Sequence, residues 1–93
     1  MSKPKSIFTK PETVFCQTVD DDLVLLDVTS EVYYSLDETG HAFWESAIYA
    51  TDFNAAIDKL DAMYDAPREQ IEQDFHAFMK ELEQLGLILR TES

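Results

Sequence analysis

The sequence predicts an α+β domain, a three-stranded antiparallel sheet followed by three helices. Three observations predict it: apolar residues recur at every second position as far as Leu36, their period then lengthens to about three and a half, and the early runs are separated by short reversals.

Val14, Cys16 and Thr18 alternate with Phe15 and Gln17 in the first strand, and Asp20, Asp21 and Asp22 mark the turn that follows. Leu23-Val24-Leu25-Leu26-Asp27-Val28 is a short apolar run between turn residues, as a central strand with both faces at least partly covered requires. Thr29 and Ser30 reverse the chain into Glu31-Val32-Tyr33-Tyr34-Ser35-Leu36. Alternation places Val32, Tyr34 and Leu36 towards the core and Glu31, Tyr33 and Ser35 on the other face.

Asp37 is the N-cap of a first helix running to about Ile48, with Ala42, Phe43, Ala47 and Ile48 available to pack. A second helix starts at Thr51 or Asp52 and presents Phe53, Ala56, Ile57 and Leu60. The third opens near Asp65 and Pro67, carries the stripe Ile71, Phe75, Phe78, Leu82 and Leu85, and stops at Gly86. Residues 1–12 hold two of the three prolines and little apolar patterning, which predicts a flexible N-terminal arm before a folded domain over 13–90 and a short tail at 91–93.

Seven basic against nineteen acidic side chains give a net charge of −12. Lys3, Lys5 and Lys10 make the first twelve residues basic, so the remainder is more acidic than the whole. Such a field repels phosphate backbones and argues against a nucleic-acid partner. One cysteine, Cys16, excludes an intramolecular disulfide, and neither an apolar leader region nor a membrane-length apolar run is visible, so a cytoplasmic setting is expected.

No constellation specifies chemistry. Asp20-Asp21-Asp22 lacks the spacing, glycine and terminal glutamate of a calcium loop and reads as a solvated turn. Cys16, His41 and His76 lack the paired spacing of zinc ligands, and two glycines in the whole chain make no phosphate cradle. Cys16 in a strand pattern reads as inert packing, and the carboxylates as solvated helix faces and turns. No cofactor, metal or catalytic residue is expected.

The binding features are the third strand and the third helix. If the chain's own tail does not cover that strand, its N–H and C=O groups form a template for another strand. Met79 lies beside Phe75 and Phe78, and the widened stripe is either deep core or one wall of a groove.

The order Val19-Asp20, Val24-Leu25-Leu26-Asp27, Tyr34-Ser35-Leu36-Asp37, Gly40, Phe43-Trp44, Asp74, Phe78, Leu82 and Gly86-Leu87-Ile88 resembles the PqqD-like family over residues 14–89. These are the recognition elements for ribosomally made, post-translationally modified peptides. The resemblance implies a winged helix-turn-helix-like arrangement in which the leader segment of a precursor peptide adds to the third strand beside the third helix. It implies a stand-alone, non-catalytic adaptor that hands the precursor to a leader peptidase, a cyclase or a radical SAM maturase. After Leu26 the chain reads Asp27-Val28-Thr29-Ser30 rather than the Tyr-Pro-Glu-like turn of PqqD itself, and its Leu-Leu-Asp strand and Phe-Trp pair look most like lasso-peptide pathway elements.

The expected peptide site is Glu31, Val32, Tyr33, Tyr34, Ser35 and Leu36 with Asp74, Phe75, Phe78 and Met79. The expected partners are the leader peptide and a modifying enzyme, without nucleic acid or membrane, for a monomer or weak homodimer. The competing reading is a winged-helix DNA-binding regulator, whose second and third helices would offer only Lys59, Arg68 and Lys80 among many acids.

Overall fold

The computed structural model describes residues 7–91. The chain runs β1 (Phe8–Thr9), β2 (Val14–Val19), β3 (Asp22–Asp27), β4 (Val32–Leu36), α1 (Glu38–Tyr49), α2 (Phe53–Met63), α3 (Arg68–Gln84) and β5 (Leu89–Arg90). Strands β2, β3 and β4 form an antiparallel sheet in that order, with Cys16 opposite Leu25 and Leu25 opposite Tyr34. The α+β class and the order of three sheet strands before three helices are as the patterning predicts.

Both reversals in the sheet need a left-handed residue. Asp20, with φ of 57°, is a residue type that tolerates this conformation. In the second turn Thr29 N–H donates to Asp27 Oδ1 at 3.0 Å and Glu31 N–H donates to the Asp27 carbonyl at 2.8 Å. Glu31 itself takes φ of 60°, so it belongs to the turn and β4 begins one residue later than the alternation suggests.

Helix ends follow local chemistry. Asp37 Oδ1 accepts from Gly40 N–H at 2.9 Å, and Asp52 Oδ1 accepts from Ala55 N–H at 2.7 Å, each satisfying a first-turn donor. Pro67 precedes α3, and Gly86 ends it at φ of 76°. Leu87 N–H reaches the Leu82 carbonyl and Gly86 N–H the Glu83 carbonyl, the paired bonds of a Schellman stop.

One face of the sheet closes over α1, supplying Val14, Leu23, Leu25 and Leu36 to the core. On the helical side Phe75 is fully buried, with ring centroids of Phe8, Phe43 and Phe53 at 6.2, 6.1 and 6.2 Å. These tilted and edge-on contacts suit the ring quadrupole. Met79 is likewise fully buried, in the cluster with Ile71 and Leu82.

The structure departs from two expectations. The arm expected over residues 1–12 is part of the fold from Ile7 onwards, while residues 1–6, like 92 and 93, lie outside the described residues. Phe8 is completely buried between Phe53 and Phe75, and β1 pairs with β5 antiparallel. Ile7 N–H donates to the Ala50 carbonyl and Thr91 N–H to the Ile7 carbonyl, each at 3.0 Å. Above Phe8 and Phe53 lies the Arg90 guanidinium, 5.2 and 5.3 Å from their centroids and 3.2 Å from Glu83. A single aromatic in a polar segment gives no periodicity, so sequence patterning passes over it. Phe75 and Met79, expected in the groove, are instead fully buried in the core.

Phe8→Ala is therefore expected to destabilise the domain by about 3–5 kcal/mol and Met79→Ala by about 2–5 kcal/mol in chemical denaturation. An unchanged unfolding midpoint for Phe8→Ala would return the segment to the status of an arm.

Candidate functional site

The sheet has two edges, and hydrogen-bond alternation decides which backbone groups each presents. Val28 N–H donates to the Thr13 carbonyl at 3.0 Å, so in the antiparallel register Phe15 and Gln17 also point at β3. Leu23, Leu25 and Asp27 then point at Leu36, Tyr34 and Val32. The N–H and C=O groups left facing outward on β4 are those of Tyr33 and Ser35. No described strand pairs with them.

Beside this edge lies a shallow pocket of about 220 Å³ between β4 and α3. Its apolar lining is Leu36 and Phe78, and its polar lining includes Tyr34 and Glu81. Gly40, on the first turn of α1, forms part of the pocket wall. A Cβ there would lie 3.2 Å from Leu36 Cβ and 3.4 Å from Phe78 Cζ, so a larger residue would press on the pocket's apolar lining. Across the pocket the Tyr34 hydroxyl donates to Glu81 Oε2 at 2.6 Å. The bond ties strand to helix. It also raises the Tyr34 pKa, chiefly because the phenol loses its carboxylate partner on ionisation, with burial and the Glu81 charge adding to the effect.

The expected site residues divide. Tyr34, Ser35, Leu36 and Phe78 come together at the pocket. Tyr33 is 72% exposed on the opposite face of the sheet, and Val32 is exposed at the start of the strand. Asp74 is exposed one turn before Phe78, held by Gln70 Nε2 at 2.9 Å. Glu31 sits in the turn, and Phe75 and Met79 are enclosed. Glu81 and Gly40 were missed. Glu81 follows Phe78 by three positions on the helix, a spacing that signals a shared face, whereas Gly40 has no sequence signal for its close approach.

The other edge, β2, is partly occupied by the chain itself. Val14 N–H donates to the Pro11 carbonyl, and the Lys10 ammonium donates to the Val14 carbonyl. Cys16, expected as buried packing, is exposed on this strand, because it borders an open pocket of about 320 Å³ shared with Leu23, Trp44 and Ile48 rather than packing against them. Partial burial still raises its thiol pKa, which keeps it protonated. Among the described residues no group of three or more His, Cys, Asp or Glu is placed to hold a metal ion, and no helix is long and apolar enough to cross a membrane.

Comparison with known families matches residues 22–88 to the family described as coenzyme PQQ synthesis protein D (PqqD). Among solved structures the fold is similar to TbiB1 in complex with the TbiA(beta) leader peptide, with a TM-score of 0.82 and 24% identity over 91% of this chain and 99% of that one. It is also similar to lasso peptide synthetase B1 complexed with the leader peptide, with a TM-score of 0.82 and 23% identity over 89% of this chain and 98% of that one. A search of curated proteins finds no match.

The Tyr34–Glu81 bond makes a spectroscopic prediction. The Tyr34 phenol, followed by NMR of labelled tyrosine, should titrate above the ordinary value of about 10, and Glu81→Gln should lower that midpoint. The sign follows from the neutral phenol being the favoured form: the bond holds below the ordinary pKa and is lost as pH rises through the raised one. A midpoint indifferent to Glu81→Gln would remove the bond from the site.

Proposed function

The chain belongs to the PqqD family, and from that premise we propose that it is a non-catalytic adaptor binding the leader segment of a ribosomally made precursor peptide by strand addition. It delivers the bound precursor to a modifying enzyme, a leader peptidase, a cyclase or a radical SAM maturase. The observation that carries this reading is a strand edge, unpaired among the described residues, lying against a helix-walled pocket. Both similar structures are described as complexes with a leader peptide, which supports the ligand class and favours a lasso-peptide pathway.

Binding follows from the edge geometry. An extended leader exchanges hydrogen bonds with the backbones of Tyr33 and Ser35, each worth about 0.5–1.5 kcal/mol net. Leader side chains opposite Tyr34 and Leu36 then point to the α3 side and fill the pocket against Leu36 and Phe78. Those opposite Tyr33 emerge on the outer face of the sheet. Tyr33 and Asp74 supply rim contacts, and Val32 and Glu31 flank the beginning of the paired stretch.

The adaptor itself supplies position rather than chemistry, and it works in the cytoplasm as a monomer or weak homodimer. The alternative of a DNA-binding winged helix is disfavoured by charge. Arg68, a cation at the start of α3, is already engaged by Asp58 at 2.7 Å and Asp61 at 3.8 Å in a chain of net charge −12.

Substitutions at one position separate backbone from side-chain recognition. Ser35→Pro removes an outward N–H without touching the β3 ladder and is expected to weaken leader binding by about five- to tenfold, while Ser35→Ala changes it little. Isothermal titration with the precursor's leader segment reads both. In NMR titration of the same pair, leader-induced shifts should centre on Tyr33, Ser35, Phe78 and Glu81, and shifts confined to α1 and α2 would dismiss the groove.

A further inference from the structure

The face of the sheet turned away from the helices is apolar and, among the described residues, uncovered. The register aligns Phe15, Leu26 and Tyr33 as one cross-strand row, with Gln17, Val24 and Ser35 as the next. Phe15 is 57% exposed and Leu26 39%, and with Val24 and Tyr33 they line a shallow hollow of about 240 Å³. Val28, also exposed, lengthens the apolar area beyond the end of β3. A contiguous patch of this kind on a small domain marks a contact surface.

The surrounding charge says what covers it. Asp20, Asp21 and Asp22 stand at one end of the sheet, and Glu12 and Glu31 at the other. None of these five carboxylates forms an ion pair among the described residues. Lys10, among the described residues, lies near this face as a cation, 5.8 Å from the Phe15 ring centroid. Two copies of a chain at −12 would repel across such a face, so a second copy is the poorer occupant of this face. The complementary occupant is a folded protein carrying an apolar ridge between lysine or arginine clusters.

We propose that this outer face, centred on Phe15 and Leu26, is the docking surface for the modifying enzyme, whose contact surface is apolar with basic flanks. The identity of that partner rests on the adaptor reading above. Strand addition at β4 extends the sheet within its own plane and leaves the face open, so leader and enzyme are held at once. The leader residue opposite Tyr33 lies at the border of the enzyme contact, which places bound precursor beside the enzyme.

The test is the double variant Phe15→Thr/Leu26→Thr, both on exposed strand positions outside the leader groove, with Phe15→Thr alone as the milder change. Unfolding midpoint, leader affinity and affinity for the purified modifying enzyme of the pathway are measured separately. We expect leader affinity within about twofold of the parent, enzyme affinity reduced by about tenfold or more in the double variant, and an intermediate loss in the single one. The parent's enzyme affinity should also fall as salt rises.

Unchanged enzyme affinity in both variants overturns the proposal. So does sedimentation showing that the parent is a dimer and the double variant a monomer, because a second copy then covers the face. A parent that binds the enzyme through this face but binds no leader would refute the adaptor reading while supporting the docking surface. The two failures are thus distinguishable.

Discussion

The position of α3 depends on Phe75. Its ring is closed in by Phe8 from the first strand, Phe43 from α1 and Phe53 from α2, so four separate segments meet at one side chain. A domain of 93 residues has little core to spare. Edge-to-face contacts add direction to the burial of apolar area, since each ring fixes the tilt of its neighbours. Phe78, one turn further along, is 5.7 Å from Phe43 and only partly buried. The same packing that encloses Phe75 therefore leaves Phe78 at the mouth of the pocket.

With α3 fixed, the sheet edge acquires its second wall. The antiparallel ladder directs the free backbone groups of Tyr33 and Ser35 away from β3, while pleating sends Tyr34 and Leu36 towards the helices. Outward backbone groups and helix-facing side chains are thus assigned to alternate residues of one short strand. The Tyr34–Glu81 hydrogen bond links the two walls at a partly exposed position, where it holds their spacing without removing either group from solvent. The second edge lacks this arrangement because Lys10 and Pro11 already engage Val14.

A three-stranded sheet covered on one side divides its surfaces three ways. Its helices cover one face, the outward backbone groups of β4 meet no partner among the described strands, and the other face is exposed. Phe15, Leu26 and Tyr33 occupy that last surface, where solubility alone would favour polar side chains. Acidic residues stand at both ends of that surface, Asp20, Asp21 and Asp22 at one and Glu12 and Glu31 at the other.

Local periodicity determined much of this molecule by itself. The alternation from Val14 to Leu36 set the three strands and which side chains face the helices, and the aspartates at 37 and 52 set two helix starts through their own side-chain bonds. The stop at Gly86 was also legible, because a left-handed residue is required there. These features depend on neighbours within a few residues. What only the tertiary structure decided is how far each apolar residue is enclosed. Phe75, Phe78 and Met79 share one helix and one stripe, yet two are sealed and one is partly open, because rings from distant segments cover part of that stripe. Phe8 gave no periodic signal and is nevertheless wholly buried, since its burial depends on β5 and α2 arriving from far along the chain. Enclosure is a sum over long-range neighbours, and a one-dimensional pattern carries no term for it.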